Sequence, residues 1–312
     1  MAGLPPTITR ELRYLEVYTA HKMRNLRAGT FTSRLRGPGF DFDEHRRYRP
    51  GDDVRRIDWN VTARFRQPYV RETHAERELN VIIALDLSAS MGFGTVPFDK
   101  KELMLYIAAC FAFSAASDQI NFGLLAFGRQ VLHYWPPRRS KGRAWRALDE
   151  LWQLDADPGP TAIAPVATFL QKRLRHASVI FIVSDFLTSE SLPDLADLRL
   201  LTATHDVVGV VVEDPSEASL FDATGEVRVR DPETGARRRL ALSGRTRRRY
   251  SAAMRGRRAQ LEEALYGAGM EHAFVTDRPA SPLAEPGRHT PAGTGALLEP
   301  LIELFSARRR AS

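Results

Sequence analysis

The sequence predicts an α/β fold: a mostly parallel central sheet with helices on both faces, an N-terminal accessory segment and an inserted β-hairpin. Two observations carry this. VIIALDL (81–87), INFGLLAF (120–127), VIFIVSDF (179–186) and HDVVGVVVED (205–214) are nearly continuous apolar runs, the mark of strands buried on both faces. Helical patterns alternate with them, which is how parallel strands are joined. A chain of 312 residues, 43% hydrophobic, can bury such a core.

In chain order, Ile8, Leu12, Leu15, Met23 and Leu26 space a first helix over about 8–28. Residues 33–77 are dense in Arg and Asp, with turn signals at Gly37-Pro38-Gly39 and Pro50-Gly51-Asp52. Phe40 and Phe42 alternate with aspartates as in a half-buried strand, and the charges suggest a salt-bridged shell around Tyr48 and Trp59. The first buried strand starts at residue 81, followed by a buried helix from Leu103 through Cys110, the second strand, and a further strand at VLHYW. Trp145, Leu148, Leu151 and Trp152 mark the next helix, and another runs over about 165–174 before the strand at 179. A helix over 191–203 and the strand at 205 close the alternation. Residues 217–243 then interrupt the rhythm: EVRVRDPETGARRRLAL reads as two strands around a Pro-Glu-Thr-Gly turn, lying outside the main sheet. Tyr250, Met254, Leu261 and Leu265 stripe a long helix, EHAFV is a last strand, 279–295 is a proline-rich surface loop, and LLEPLIELF closes the chain as a helix. The domain reading is 1–77 for the N-terminal helix and charged segment, and 78–312 for the α/β domain.

Several function classes fall away. The net charge of +7 is too small over this length to imply nucleic acid. A single cysteine excludes an internal disulfide and a thiolate cluster, so a cytoplasmic location is the expectation. The longest apolar run, Leu103–Phe113, falls short of the roughly 20 residues of a membrane span. No G-x-x-x-x-G-K-[ST] loop exists, so the chain is no P-loop ATPase, and its scattered histidines lack zinc-hydrolase spacing.

The chemistry gathers where the strands end. Ligands of open α/β sheets bind beyond the carboxyl ends of strands, and the first strand ends in Asp86-Leu87-Ser88-Ala89-Ser90. Asp185 ends a neighbouring strand, and Thr161 starts the helix before it. Two carboxylates and three hydroxyls are hard oxygen donors suited to Mg²⁺ or Mn²⁺. With so few charged ligands the ion would accept one more anionic oxygen, such as a partner's carboxylate. The other reading is structural: Asp and Ser at strand ends cap the next helix.

DLSAS with Thr161 and Asp185 resembles the metal-ion-dependent adhesion site of von Willebrand factor A domains. SRLRGPGFDFDEHRRYRPGDDVRRIDWNVTAR, followed by YVRETHAERELNVIIALDLSASM, resembles the signature of the bacterial family called domain of unknown function 58. The resemblance implies a Rossmann-like von Willebrand factor A domain with its ion held by Asp86, Ser88, Ser90, Thr161 and Asp185. It also implies association with MoxR-type AAA+ ATPases, as adaptor or co-chaperone, and supplies no established reaction. PGPTAI departs from the Gly-Gly-Thr-Asp-like loop of many A domains.

The expected function is therefore a metal-dependent protein-interaction module and not an enzyme. A metal-free scaffold is the alternative. A Mg²⁺-dependent phosphohydrolase is a weaker one, because Ser88 stands where aspartyl-phosphate phosphatases carry a second Asp as general acid. Residues 237–258 hold ten arginines and no acid. They read as a solvated face or a surface for an acidic protein, since only Tyr250 is available for base stacking.

Overall fold

The computed structural model describes residues 4–22, 44–49, 52–54, 57–65, 67–72, 80–94, 99–220, 222, 224–230, 235–276, 300, 301 and 303. The strand read at Phe40–Phe42, the turn at Gly37–Gly39 and the loop at 279–295 lie outside them. The C-terminal helix enters only through residues 300, 301 and 303, which are helical. The chain divides into two compact units, one of Met1–Phe31 with Leu79–Ser312 and one of Thr32–Glu78.

The smaller unit pairs β1 (Glu44–Arg47) with β2 (Tyr69–Glu72) antiparallel. Between them, α2 (Trp59–Phe65) starts where Asp58 Oδ1 accepts from the N–H of Asn60 and Val61 at 3.0 and 3.1 Å. The helix buries none of its residues, and Trp59 is 67% exposed. That corrects the expectation of a shell closed around Trp59: a local carboxylate cap holds this helix, not apolar burial.

The larger unit holds a six-stranded sheet in the order β10-β7-β6-β3-β4-β5. Its strands are β3 (Asn80–Asp86), β4 (Asn121–Phe127), β5 (Val131–Arg138), β6 (Ser178–Ser184), β7 (Asp206–Glu213) and β10 (Glu271–Thr276). All neighbours are parallel except β5, which turns back on β4 and forms one edge. The tight Gly128–Gln130 connection dictates this, since a parallel return needs a crossover of a dozen residues. Pro136 and Pro137 are tolerated on that edge strand. The expected mostly parallel sheet flanked by helices is thus the architecture found.

The helices cover two faces. On one, α3 (Lys100–Ser117) is buried nearly all round and stacks Phe111 on Phe181 of β6, ring centroids 4.0 Å apart. Cys110 sits in this helix as a core residue, its thiol pKa pushed up by burial. Against α3 lie α4 (Lys141–Gln153) and α1 (Pro6–Lys22), the latter inserting Ile8, Leu12 and Leu15. The Leu4 N–H also donates to Asp149 Oδ1 of α4 at 2.8 Å. The N-terminal helix therefore belongs with the α/β unit, not with the charged segment that follows it in sequence. On the other face, α5 (Ala164–Arg173) and α6 (Ala196–Thr204) bury Val166, Leu170, Leu198 and Leu201 against Ile82, Ile180 and Val211.

After β7 come the short α7 (Pro215–Ala218) and a separate two-stranded ribbon, β8 (Gly225–Arg230) with β9 (Arg237–Leu242). The hairpin stands outside the main sheet, as its interruption of the strand–helix rhythm predicts. The 24-residue α8 (Gly244–Gly267) follows, with Leu265 its one fully buried residue.

Candidate functional site

The chain runs from β3 to β4 on one side and later returns to β6 on the other. The crevice beyond the carboxyl ends of β3 and β6 is therefore the topological switch point of the sheet. Asp86 ends β3 there, wholly buried. Its Oδ1 accepts from the Ser88 N–H at 2.8 Å. Its Oδ2 accepts from Thr161 Oγ1 at 2.7 Å and Ser184 Oγ at 2.6 Å. Ser88 Oγ lies 2.9 Å from Thr161 Oγ1 and 3.1 Å from Ser90 Oγ. Four of the five predicted residues thus form one hydroxyl–carboxylate cluster. Burial pushes the Asp86 carboxyl above its ordinary range, the Ser184 hydrogen bond opposes this, and the nearby charge of Asp185 adds to it.

The loops carrying these residues are tied to each other. Leu87 donates to the Phe127 carbonyl and accepts from the Asp157 N–H, both at 2.7 Å. Asp157 then takes the N–H groups of Arg129 and Gly159 at 2.8 and 3.0 Å, and Ala162 N–H reaches the Gly128 carbonyl at 3.1 Å. These bonds and the Arg129 guanidinium outweigh the burial of Asp157 and hold its carboxyl below the usual range. Gly128 is needed for the closure: a Cβ there would stand 2.5 Å from that of Asp157. Thr161 is held in place by this docked loop, so PGPTAI delivers its hydroxyl despite departing from the usual A-domain pattern.

Asp185 is placed differently. Its Oδ1 accepts from the Leu187 N–H at 3.0 Å, and its Oδ2 from Lys100 Nζ at 2.9 Å. Lys100, 2% exposed, also bonds Glu217 of α7. Burial alone would lower the Lys100 pKa, but the two carboxylates outweigh it and hold it above the usual lysine value. Between Asp185 and Leu187, Phe186 adopts a left-handed φ of 51°. The buried ring of Phe186, and its N–H donated to Ser184 Oγ at 2.9 Å, keep that conformation in place. Asp185 also lines a groove of about 360 Å³ bounded by Leu187, Glu213, Glu217, Tyr250 and Arg257.

Sequence reasoning missed Ser184, Lys100 and Glu217. The signal for Lys100 was present: Asp99 and Glu102 form a capping box, which fixes Lys100 in the first turn of α3 at the strand-end edge. Among the described residues no three His, Cys, Asp or Glu side chains gather as a metal cluster. A cation here would rely on hydroxyls. The successive oxygen separations of 2.7, 2.9 and 3.1 Å from Asp86 to Thr161, Ser88 and Ser90 are close to the roughly 2.9 Å between adjacent ligands of an octahedral ion with bonds near 2.1 Å. Asp86, Thr161, Ser88 and Ser90 are the donors that such an ion would draw on, linked in that order. The fifth predicted residue, Asp185, is instead engaged by Lys100 and the Leu187 N–H.

Residues 44–260 match the family described as protein of unknown function DUF58. The chain belongs to the DUF58 family. Its relatives include the uncharacterized protein Rv1480 of Mycobacterium tuberculosis, 32% identical over 268 residues, covering 85% of this chain and 83% of the relative. An uncharacterized protein of Mycobacterium bovis, Mb1516, matches to the same extent. Among solved structures, this DUF58 chain is similar to the conserved hypothetical protein BatB of Bacteroides thetaiotaomicron, with TM-score 0.42 and 15% identity over 73% of this chain and 99% of that one. It is also similar to a von Willebrand factor type A protein from Catenulispora acidiphila, with TM-score 0.40 and 16% identity over 76% of this chain and 44% of that one. No helix among the described residues is long and apolar enough to cross a membrane.

Proposed function

We propose that this DUF58 protein is a metal-dependent protein-interaction module, an adaptor or co-chaperone of a MoxR-type AAA+ ATPase, with Mg²⁺ or Mn²⁺ held at the carboxyl edge of its sheet. The observation that carries the reading is the buried chain of contacts that runs from the Ser90 hydroxyl through those of Ser88 and Thr161 to the Asp86 carboxylate, a local supply of hard oxygen donors. Asp86 supplies the anionic ligand and the hydroxyls supply neutral ones. Asp185 would add a second carboxylate, and the groove that it lines is where a partner segment bearing a carboxylate would enter. When bound, the ion supplies a positive charge for that carboxylate. Lys100 orients Asp185, and Ser184 orients Asp86. Two residues beyond Asp86 stands a serine, so no general acid is positioned there for phosphoryl transfer.

The test is a thermal-shift titration with Mg²⁺ and Mn²⁺, since a ligand that binds the native state raises stability by mass action. The wild type should gain Tm and Asp86→Ala should not. Co-purification of a MoxR-type ATPase from the native cell should require the divalent ion and intact Asp86, Ser88 and Ser90. Equal recovery in EDTA would favour the metal-free scaffold. Turnover of a phosphate ester that Asp86→Ala abolishes would favour the phosphohydrolase.

A further inference from the structure

The β8–β9 ribbon carries an electrostatic arrangement that the sheet-edge site does not use. Residues directly opposite on an antiparallel pair share a face, and the register sets Arg228 against Arg239 and Arg230 against Arg237. Positions two apart on a strand also share a face. Four arginines therefore form a two-by-two array on one face of the ribbon, all exposed. Among the described residues, the only carboxylate on that face is Glu226, which meets Arg239 at 4.0 Å. The opposite face carries Val227, Val229, Leu240, Leu242 and, opposite Val229, the exposed Arg238, and the buried Leu242 anchors the ribbon just before Ser243 caps α8.

Like charges directly opposite destabilise a strand pair, and a two-stranded ribbon is marginal in water to begin with. A face built this way is complementary to anions. The spacing says which kind. Each opposed pair holds its Cβ atoms about 5 Å apart, close enough for two guanidinium forks to bracket one carboxylate. The two pairs lie about 6.8 Å apart along the strand, which is the separation of alternate side chains in another extended chain. Neither strand contains an aromatic residue on which bases could stack. Apart from Ala241, the arginine face has no apolar side chain to enter a lipid surface.

We propose that the β8–β9 ribbon is a docking surface for an extended acidic protein segment with carboxylates at alternating positions, each bracketed by one arginine pair, Arg228 with Arg239 and Arg230 with Arg237. This surface is separate from the Asp86 cluster and acts without its metal.

Two fluorescein-labelled peptides of identical composition test it by anisotropy on the full chain at low salt: Gly-Thr-Glu-Thr-Glu-Thr-Thr-Gly, whose two carboxylates share a face, and Gly-Thr-Glu-Glu-Thr-Thr-Thr-Gly, whose two carboxylates point to opposite faces. The alternating peptide should bind roughly fivefold more tightly, and Arg230→Gln with Arg237→Gln should weaken it roughly tenfold. Arg230→Lys with Arg237→Lys keeps the charge and loses the fork, so it should remove most of the preference for alternation. EDTA should change none of these values, whereas it should abolish any partner capture that depends on the sheet-edge metal. Equal binding of the two peptides would overturn the proposal, as would undiminished binding by the Gln variant. So would preferential binding of a DNA or RNA oligonucleotide, or of phosphatidylserine vesicles, at the same salt.

Discussion

At the carboxyl edge of the sheet the charges are buried with partners; on the β8–β9 ribbon they stand exposed against their own kind. Asp86 accepts three hydrogen bonds, and Lys100 lies between Asp185 and Glu217. Arg228, Arg230, Arg237 and Arg239 face one another in water, where solvent screens most of their repulsion. The difference teaches where electrostatics decides stability. In the dry edge an unpaired charge is intolerable, so that region is over-determined by its own hydrogen bonds. On the ribbon a like-charge array costs little, so it persists as a surface whose complement is external.

The largest effect that sharpens this contrast should come from Lys100→Met. It leaves Asp185 buried without its counter-charge, and breaking a buried pair in this way typically costs about 3–5 kcal/mol. Urea denaturation should report a loss of that order. A loss below about 1 kcal/mol would mean that water reaches Asp185 freely, and the contrast between dry edge and wet ribbon would fail.

Gly128→Ala should come next. The new Cβ would collide with Asp157 at 2.5 Å, which forces the loop carrying Thr161 away from Asp86. Overpacking of this kind costs typically about 1–3 kcal/mol. The Mg²⁺-dependent rise in Tm should shrink with it. A destabilised variant that kept its full metal response would show that Thr161 is no part of the metal site.

These two variants also mark what was legible in the sequence. Asp86, Ser88 and Ser90 could be placed because VIIALD is apolar on both faces, which fixes the strand and hence its end. Asp185 could be placed just beyond the end of β6 for the same reason, but its pairing could not. Lys100 reaches it from 85 residues away, and no local pattern encodes that encounter. Nor does any pattern encode the left-handed Phe186, a residue that seldom adopts that conformation and is kept there by tertiary burial. The register that opposes Arg228 with Arg239 needed the turn geometry of the hairpin as well as its composition. The N-terminal helix was visible as a stripe, but its partner α3, apolar on every side, offered no single face to match it with.

A smaller effect is expected from pH, again inside the dry region. His205 is 6% exposed, and its Nδ1 accepts from the Ser178 N–H at 3.2 Å at the start of β6. Burial lowers its pKa below the ordinary value of 6.5. The unfolded chain therefore takes up the proton first, so the contribution is complete above pH 6.5 and is lost as pH falls below it. His205→Gln keeps an acceptor for the Ser178 N–H and does not titrate. Its stability should fall less steeply than the wild type's between pH 7 and pH 5, read as urea midpoints. Parallel curves would mean that His205 takes up its proton alike in the folded and unfolded chain, so that its burial has no effect on stability.

The smallest effect should be found on the ribbon, and its sign is what matters. Arg230→Gln with Arg237→Gln removes one directly opposed pair of like charges. Cross-strand pairs of exposed residues contribute roughly 0.2–1 kcal/mol, so this repulsion lies in that range and is reduced by salt. Removing it should leave the global urea midpoint unchanged or slightly higher, while hydrogen exchange at the ribbon amides slows at low salt and less so at high salt. Removing one partner of a buried opposite-charge pair should instead destabilise, as expected for Lys100→Met. If the Gln variant instead lost stability, the arginines would be holding the ribbon together through stacked guanidinium planes. The array would then be a structural element of this chain, with no need of an acidic partner to explain it.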